Sequence, residues 1–360
     1  MRIGIDAREI GRRPTGVGRY LSGLLTTWAG DERSRAHEFL LYAAEPLNLA
    51  LDARCFAARL APGTGGTWWE QVTMPALARR DHLDVFFAPG YTAPLFRRLP
   101  VVVTIHDVSF LAHPEWFNAR EGIRRRWITR HTATRARAVI TVSEFSRREL
   151  IDRLGVAESR LHVIPHGITA RAPSPAPAPR PPSVLYVGSI FNRRHVPDLI
   201  RAFAPITREQ PTASLDIVGD DRSYPRQDIA RAIAAEEVGD RIRWHRYLDD
   251  DELARLFARA RVFAFLSEYE GFGLTPLESL CAGAPPVLLD TAVARESCGN
   301  AAMYVPPNDP GAVTQALRTL LFEKDARESL LAAAPAVLAR YDWRRAGRET
   351  LALLERAGSA

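Results

Sequence analysis

Strand-like and helix-like runs alternate along the whole 360-residue chain, and one proline-dense stretch interrupts the alternation near the middle. Apolar runs at Arg2–Asp6, Phe39–Tyr42, Val85–Ala88, Val101–Ile105, Val139–Val142 and His162–Ile164 read as strands. Helical patterns lie between them near Gly18–Ala29, Trp69–Arg79, Ala119–Arg135 and Ser146–Leu154. Such alternation builds parallel sheets, because each parallel strand needs a crossover before the next can be laid down. The segment 170–183 carries prolines too closely spaced for a helix or a sheet interior, and predicts a semi-rigid linker. The pattern then restarts. Strands are expected at Val184–Gly188, Leu215–Val218, Arg241–Trp244, Val262–Leu266 and Val287–Leu289. Helices are expected near Pro197–Phe203, Asp228–Glu236, Asp251–Ala260, Pro276–Ala282, Pro310–Phe322, Ala326–Leu338 and Trp343–Arg356.

This length is more than one core needs and suits two α/β domains. Both halves open with a strand, a glycine-containing turn and a helix, a weak internal repeat. The expected organisation is a Rossmann-like parallel-sheet domain over 1–169, the linker 170–183, a second such domain over 184–342, and a last helix over 343–360. Ligands of such sheets sit beyond the carboxyl ends of the strands, where every motif below falls.

Composition narrows the class. No apolar run is long enough to span a bilayer, and the opening Met1-Arg2-Ile3-Gly4-Ile5-Asp6 reads as a buried strand instead of a secretory leader. A cytoplasmic location is expected, with attachment to the inner face of the membrane left open. Cys55, Cys281 and Cys298 are widely spaced without a metal-ligand pattern and fit reduced thiols. The net charge is +6, and Lys324 is the only lysine, so the basic charge is nearly all arginine. Guanidinium favours planar, bidentate contacts to phosphates and anionic surfaces.

Glu270-Gly271-Phe272-Gly273-Leu274-Thr275-Pro276-Leu277-Glu278 places two carboxylates around a glycine loop that runs into a helix. A helix N-terminus attracts anions through its backbone N–H groups and dipole, while carboxylates accept bonds from hydroxyls. Diphosphate on the amides and sugar hydroxyls on the carboxylates describes a nucleotide-sugar site. The bland alternative for Glu278 is a capping box with Thr275 as N-cap, Pro276 at N1 and Glu278 at N3. Glu270 has no structural reason to sit in a glycine turn. Gly188-Ser189-Ile190-Phe191-Asn192-Arg193-Arg194 follows the first strand of the second half, and its two cations suit a departing diphosphate. It also reads as a solvated basic turn. Gly16-Val17-Gly18-Arg19-Tyr20 opens the first helix, where glycines admit a phosphate to the backbone; an ordinary strand–helix turn is the alternative. His106-Asp107 ends a strand, a place where a lone histidine is more often a satisfied core residue.

Together these strings resemble the retaining glycosyltransferases of family 4, which have the GT-B fold: two Rossmann-like domains facing a cleft. The resemblance runs from the Gly16 loop to Trp343. It implies that Glu270 touches the donor sugar near the reacting carbon, that Glu278 accepts from the ribose hydroxyls, and that Arg193 and Arg194 neutralise the leaving group. It implies that His106 contacts the sugar, with Asp107 orienting it, and that Gly16, Gly18, Gly188, Gly271, Phe272, Gly273 and Leu274 line the donor. Glu296 is of second rank. Ser189 stands where the family commonly has an arginine, and Arg193-Arg194 where it commonly has a lysine. The implied chemistry retains configuration, needs no metal and no cofactor, and uses a nucleotide-sugar donor with a glycan or lipid-linked acceptor. GDP-mannose is preferred, with UDP-glucose-type donors and deoxysugar donors open. The last helix would cross back to the first domain.

Several strings remain outside that reading. Asp249-Asp250-Asp251 is read as the acidic start of a helix, not a metal site. Val163-Ile164-Pro165-His166-Gly167 reads as hinge structure, and Trp68-Trp69-Glu70-Gln71 as core and acceptor wall. The basic stretch Arg120–Arg135 with Trp116, Phe117 and Trp127 would suit an anionic membrane, but a solvated helix with Trp127 in the core is preferred. A nucleotide-sugar epimerase or a phosphorylase of the same shape, and an arginine-rich nucleic-acid binder, are the competing functions. Nucleic acid is not expected as a partner, because the aromatics interleave with strands and form no stacking platform.

Overall fold

The computed structural model describes residues 1–10, 16–47, 49, 51–52, 54–63, 65–96, 98–169 and 180–359. Most of the proline-dense segment and residues 11–15 of the first glycine loop lie outside them. The chain divides into two compact units, 1–112 with 119–167 and 341–360, and 113–118 with 168–340.

The first unit holds a seven-stranded parallel sheet of β1 (Arg2–Asp6), β2 (Glu38–Ala43), β3 (Phe56–Leu60), β4 (Val85–Ala88), β5 (Val101–Thr104), β6 (Ala138–Thr141) and β7 (Leu161–Val163). The order is β3-β2-β1-β4-β5-β6-β7. The central strands β4 and β6 are buried throughout, as a sheet covered on both faces requires. One covering layer pairs the helix Gly16–Ala29 with the helix Trp343–Gly358. Leu21, Leu24, Leu25 and Trp28 of the first share a core with Leu351, Leu353 and Leu354 of the second. Trp28 Nε1 donates to the Gly347 carbonyl at 2.9 Å. Trp343 packs so close to Gly167 that a Cβ there would stand 2.3 Å from its ring.

The second unit holds a six-stranded parallel sheet of β8 (Ser183–Val187), β9 (Ser214–Val218), β10 (Ile242–His245), β11 (Val262–Phe265), β12 (Pro286–Leu289) and β13 (Met303–Val305). The order is β10-β9-β8-β11-β12-β13. In each sheet the chain winds outward from one strand and then returns beside it, at β1/β4 and at β8/β11. Loops leaving neighbouring strands diverge there and leave room for a ligand. A carboxylate inside β9, Asp216, is buried and held by Arg243 at 2.9 and 2.8 Å and by His245 at 2.9 Å.

The strands and helices expected from the pattern are present, with ends shifted by a few residues. The edge strands β3 and β13 and the helix Ala292–Cys298 are additional. β3 is Phe-Ala-Ala-Arg-Leu, and at the sheet edge the residues after the buried Phe56 alternate between partial burial and exposure, which gives a weak apolar signal. The helix expected over Trp69–Arg79 begins as a wider turn, Trp69–Thr73, in which the Met74 N–H reaches the Trp69 carbonyl. Pro75 has no N–H for the regular ladder at this point. Trp127 is not a core residue: it is 60% exposed, because Gly122, Ile128, Thr129, Thr132 and Ala133 take the inward positions of the helix Ala119–Arg135. Asp249 caps the helix Asp250–Arg259 in a reciprocal capping box with Glu252, so that acidic run is spent on a helix start. Among the described residues no helix is long and apolar enough to cross a membrane.

Candidate active site

In the second unit the site grows from the ends of β8 and β11. Gly188 follows β8 with φ +150°, and Gly219 follows β9 with φ +151°. A Cβ on Gly219 would stand 2.0 Å from the Gly188 carbonyl oxygen, and one on Gly188 would stand 2.8 Å from an Arg194 nitrogen. The glycines therefore let two strand ends and an arginine converge where any side chain would block them. Beyond Gly188, Asn192 fixes the loop, donating to the Pro225 carbonyl at 3.1 Å and accepting from the Tyr224 N–H at 2.7 Å.

The two arginines of this loop point at the glutamate loop. Arg193 Nε donates to the Tyr269 carbonyl at 3.1 Å, with its guanidinium over the rings of Phe191 at 4.5 Å and Trp116 at 5.8 Å. Arg194 donates through Nε to Glu270 Oε1 at 2.8 Å and through Nη1 to the Ser189 carbonyl at 2.8 Å. Ser267 Oγ donates to the same Glu270 oxygen at 2.8 Å. The Glu270 side chain is 19% exposed and that of Arg194 13%. Burial works to raise the Glu270 carboxyl, but the Arg194 and Arg193 charges and the two hydrogen bonds outweigh it and hold the group below its ordinary value. Burial likewise works against the Arg194 charge, and Glu270 returns it above its usual value. Burial pushes the neighbouring Tyr186 hydroxyl up to about 12.

Glu278 lies on the helix Leu274–Cys281, whose N-cap is Gly273 at φ +104° with no side-chain cap. The helix thus starts before Thr275, and Glu278 falls on its fifth residue. The capping box expected over Thr275–Glu278 is not formed, because a left-handed glycine allows the helix to begin earlier. Glu278 is half-buried there, and helix capping no longer explains it. Leu274 and Gly273 form the helix mouth; Gly271 and the buried Phe272 lead into it. Ser297 Oγ donates to the Phe272 carbonyl and so fastens the loop to the helix Ala292–Cys298. The backbone of Glu296 and Ser297 is in turn held by Arg340 Nη2 at 2.9 and 2.7 Å.

In the first unit His106 follows β5 and is buried at 8% exposure. Its Nε2 lies 2.8 Å from the Pro89 carbonyl and its Nδ1 lies 3.2 Å from His166 Nε2. A carbonyl only accepts, so Nε2 carries the proton and Nδ1 accepts from His166. Burial lowers the pKa of both imidazoles, His166 most, and the pair is neutral. These bonds hold the ring at both of its nitrogens. The Asp107 carboxylate accepts from Tyr91 Oη at 2.7 Å and from the Ser109 N–H at 2.8 Å. Tyr20 stacks on His166 at 4.6 Å and its hydroxyl meets Thr104 at 3.2 Å. Gly16 is exposed in the first turn of its helix, while Gly18 is buried.

The strand ends of the second unit therefore bring together Gly188, Arg193, Arg194, Glu270, the Gly271–Leu274 loop and Glu278. His106, Gly16 and Gly18 belong to the first unit. Three groups escaped the sequence reading. His166, taken there as hinge structure, is a buried ring partner of His106. A charged cluster at the end of β1 joins Asp6 to Arg8 at 2.7 Å and Arg8 to Glu70 at 3.4 Å, with Glu70 buried and its carboxyl raised by burial. The segment 113–118 belongs to the second unit, with His113 and Trp116 stacked at 3.8 Å and His113 edge-on to Tyr269 at 5.6 Å. Only the Trp116-Phe117 pair gave any signal of that segment in the sequence. Among the described residues no group of three or more His, Cys, Asp or Glu side chains has the arrangement of a metal site.

Comparison with known proteins bears on this geometry. The family described as Glycosyl transferases group 1 matches residues 170–337, and that described as Glycosyltransferase Family 4 matches residues 14–171. The O-antigen chain mannosyltransferase B of Escherichia coli is 28% identical over 297 residues, which cover 77% of this chain and 75% of that one. The GDP-mannose:cellobiosyl-diphosphopolyprenol alpha-mannosyltransferase of Xanthomonas campestris is 29% identical, over 70% of this chain and 66% of its own length. The structure of a sucrose-phosphate synthase from Thermosynechococcus elongatus superposes with a TM-score of 0.78 at 18% identity, covering 99% of this chain and 98% of its own. WaaG, a glycosyltransferase involved in lipopolysaccharide biosynthesis, gives 0.76 at 16% identity, covering 98% of this chain and 99% of its own.

Proposed function

From the premise that this chain belongs to the family 4, group 1 glycosyltransferases and has the GT-B fold, we propose that it moves a hexose from a nucleotide-diphosphate sugar to a glycan or lipid-linked glycan with retention of configuration. The observation that carries the reading is the Arg194–Glu270 contact at 2.8 Å, which joins the two motifs beside a helix start that no side chain caps. The diphosphate lies at the start of the helix Leu274–Cys281 between Arg193 and Arg194, and Gly188, whose N–H is spent on the Val218 carbonyl at 2.9 Å, gives it room and not a donor. An arginine has five donors in a fixed fork, so Arg194 can hold Glu270 and still turn donors toward a phosphate. As the sugar–phosphate bond breaks, charge grows on the diphosphate, and cations already in place stabilise it without reorganising.

Glu270, kept ionised by Arg194, accepts from a hydroxyl of the donor sugar near the reacting carbon. Glu278 accepts from the ribose hydroxyls. The departing diphosphate takes the acceptor proton on the face it leaves, so no carboxylate need be a nucleophile, and neither metal nor cofactor is required. His106, whose ring nitrogens hold Pro89 and His166, meets the sugar by exchanging its His166 bond for a sugar hydroxyl; the exposed Gly16 admits a phosphate near the helix start. GDP-mannose is the preferred donor, supported by relatives named as mannosyltransferases, and a lipid-linked acceptor is supported by the diphosphopolyprenol in one such name. We place the enzyme in the cytoplasm. An epimerase of the same fold and a nucleic-acid binder draw no such support.

The test is a thermal-shift panel of nucleotides and nucleotide sugars in EDTA, since a ligand that binds only the folded chain raises its melting temperature. One diphosphate nucleotide should give a selective shift that Glu278→Ala removes. A flat panel would sink the reading.

A further inference from the structure

In the second unit three consecutive residues between β8 and the helix Val196–Glu209 grip the glutamate loop. The Arg193 carbonyl accepts from the Glu268 N–H at 2.9 Å, and Arg193 Nε donates to the Tyr269 carbonyl at 3.1 Å. Arg194 holds Glu270 at 2.8 Å. His195, the third, takes no part in the donor chemistry. Its Nδ1 lies 2.8 Å from Asp198 Oδ2 in the first turn of the helix, and its Nε2 lies 2.7 Å from Glu268 Oε1. The second contact is one of charge, not an aligned hydrogen bond. A carboxylate only accepts, so a ring with one at each nitrogen serves both with a proton on each.

Nothing local calls for an imidazole at this place. His195 has φ +49°, in the left-handed region that costs a residue with a Cβ and that glycine enters freely. Its side chain does not cap the helix it precedes. A backbone held there persists because its surroundings over-determine it, and such positions cluster at functional sites. Stability does not explain the two contacts either. The side chains of Asp198 and Glu268 are 34% and 36% exposed, and ion pairs so open to solvent add little. What the ring supplies is register. It ties the end of the arginine loop both to the body of its helix and to the residue two before Glu270. We propose that His195 is a positioning residue for the transfer reaction: by bridging Asp198 and Glu268 it fixes Arg194 and Glu270 in the geometry that meets the departing diphosphate. The inference rests on the donor reading of Arg194 and adds the part that holds it in place. A cation that is displaced by a fraction of an ångström still binds the ground-state diphosphate, but it loses the charge that develops as the bond breaks.

The experiment compares the wild type with His195→Asn, Glu268→Gln and the double variant. Asparagine tolerates the left-handed backbone, yet its one short amide cannot serve two carboxylates on opposite sides of a ring. Arg201, which donates to Asp198, still holds that carboxylate when the ring is gone. The readout is release of nucleotide diphosphate in EDTA, with water as acceptor, from whichever of GDP-mannose and UDP-glucose shifts the melting temperature of the wild type. Each single variant should lose about 10–100-fold in kcat with the donor KM within about threefold, and the melting temperature should stay the same. The double variant should be no slower than the slower single, because both substitutions break one bridge. Full kcat in His195→Asn would overturn the proposal. So would losses that multiply in the double variant, or losses that follow a lowered melting temperature, since those describe two separate sites or a merely structural residue. A wild type that responds to neither nucleotide sugar would overturn the donor reading and this inference with it, whereas a responsive wild type with unaffected variants would overturn the inference alone.

Discussion

At Glu270 one carboxylate oxygen serves two donors, Arg194 and Ser267, at 2.8 Å each. The arrangement keeps the carboxylate charged where burial would otherwise protonate it. Glu270→Gln should cut turnover about 10²–10³-fold while lowering stability by about 1–3 kcal/mol, since the amide leaves a half-satisfied arginine. Single-turnover rates with a saturating donor would show it; an unchanged rate would remove Glu270 from the reacting centre. Glu278→Gln should weaken donor binding with little change in melting temperature, because the N-cap of its helix is Gly273. A loss of stability without a loss of donor affinity would return it to scaffold. The glutamates were legible because they sit in one contiguous string. The partner of Glu270 was not, because Arg194 lies 76 positions earlier and only the pairing of β8 with β11 brings them together.

Between elements, the two histidines are the clearest product of strand order. His106 leaves β5 and His166 follows β7, and 60 positions of sequence separate them. Both are neutral because burial lowers their pKa. The sign follows from proton counting: below the ordinary value of 6.5 the unfolded chain binds protons that the folded chain does not, so stability is present above 6.5 and falls as pH drops toward the folded values. Each group contributes a slope of up to about 1.4 kcal/mol per pH unit across that window. The melting temperature should therefore drop between pH 7.5 and 5.5, and less steeply in His166→Phe. Equal slopes in both proteins would show that the pair is not the acid-sensitive element. Helix starts belong to this scale too. Thr-Pro-Leu-Glu satisfies every sequence rule for a capping box, yet the left-handed Gly273 starts the helix sooner, a choice made by the loop that Ser267 and Ser297 hold.

For the whole molecule, the chain's last helix completes a core built from its first residues. Leu351, Leu353 and Leu354 of Trp343–Gly358 are buried with Ile3, Ile5 and Leu24. Truncation after Arg340 should unfold or strongly destabilise the first unit, because several buried leucines are lost at about 2–5 kcal/mol each. The second unit, 168–340, keeps its own sheet and should retain the nucleotide-induced shift. Limited proteolysis of the truncated chain would show a protected second unit; a single cooperative loss of both would contradict the division.

What the sequence determined by itself was what local order encodes: the alternation of strand and helix, the two parallel-sheet units, and the short strings whose residue types suit phosphates and sugars. These survive in one dimension because periodicity and adjacent chemistry are properties of neighbours along the chain. Tertiary structure alone decided which distant residues meet and which way a side chain points. It set Arg194 on Glu270, His166 on His106 and Arg8 between Asp6 and Glu70, carried Trp116 to Arg193, and turned Trp127 outward. The reason is physical: strand order fixes long-range pairing, and the inward positions of a helix are assigned by what the sheet beneath can accommodate, neither of which is written in any local window.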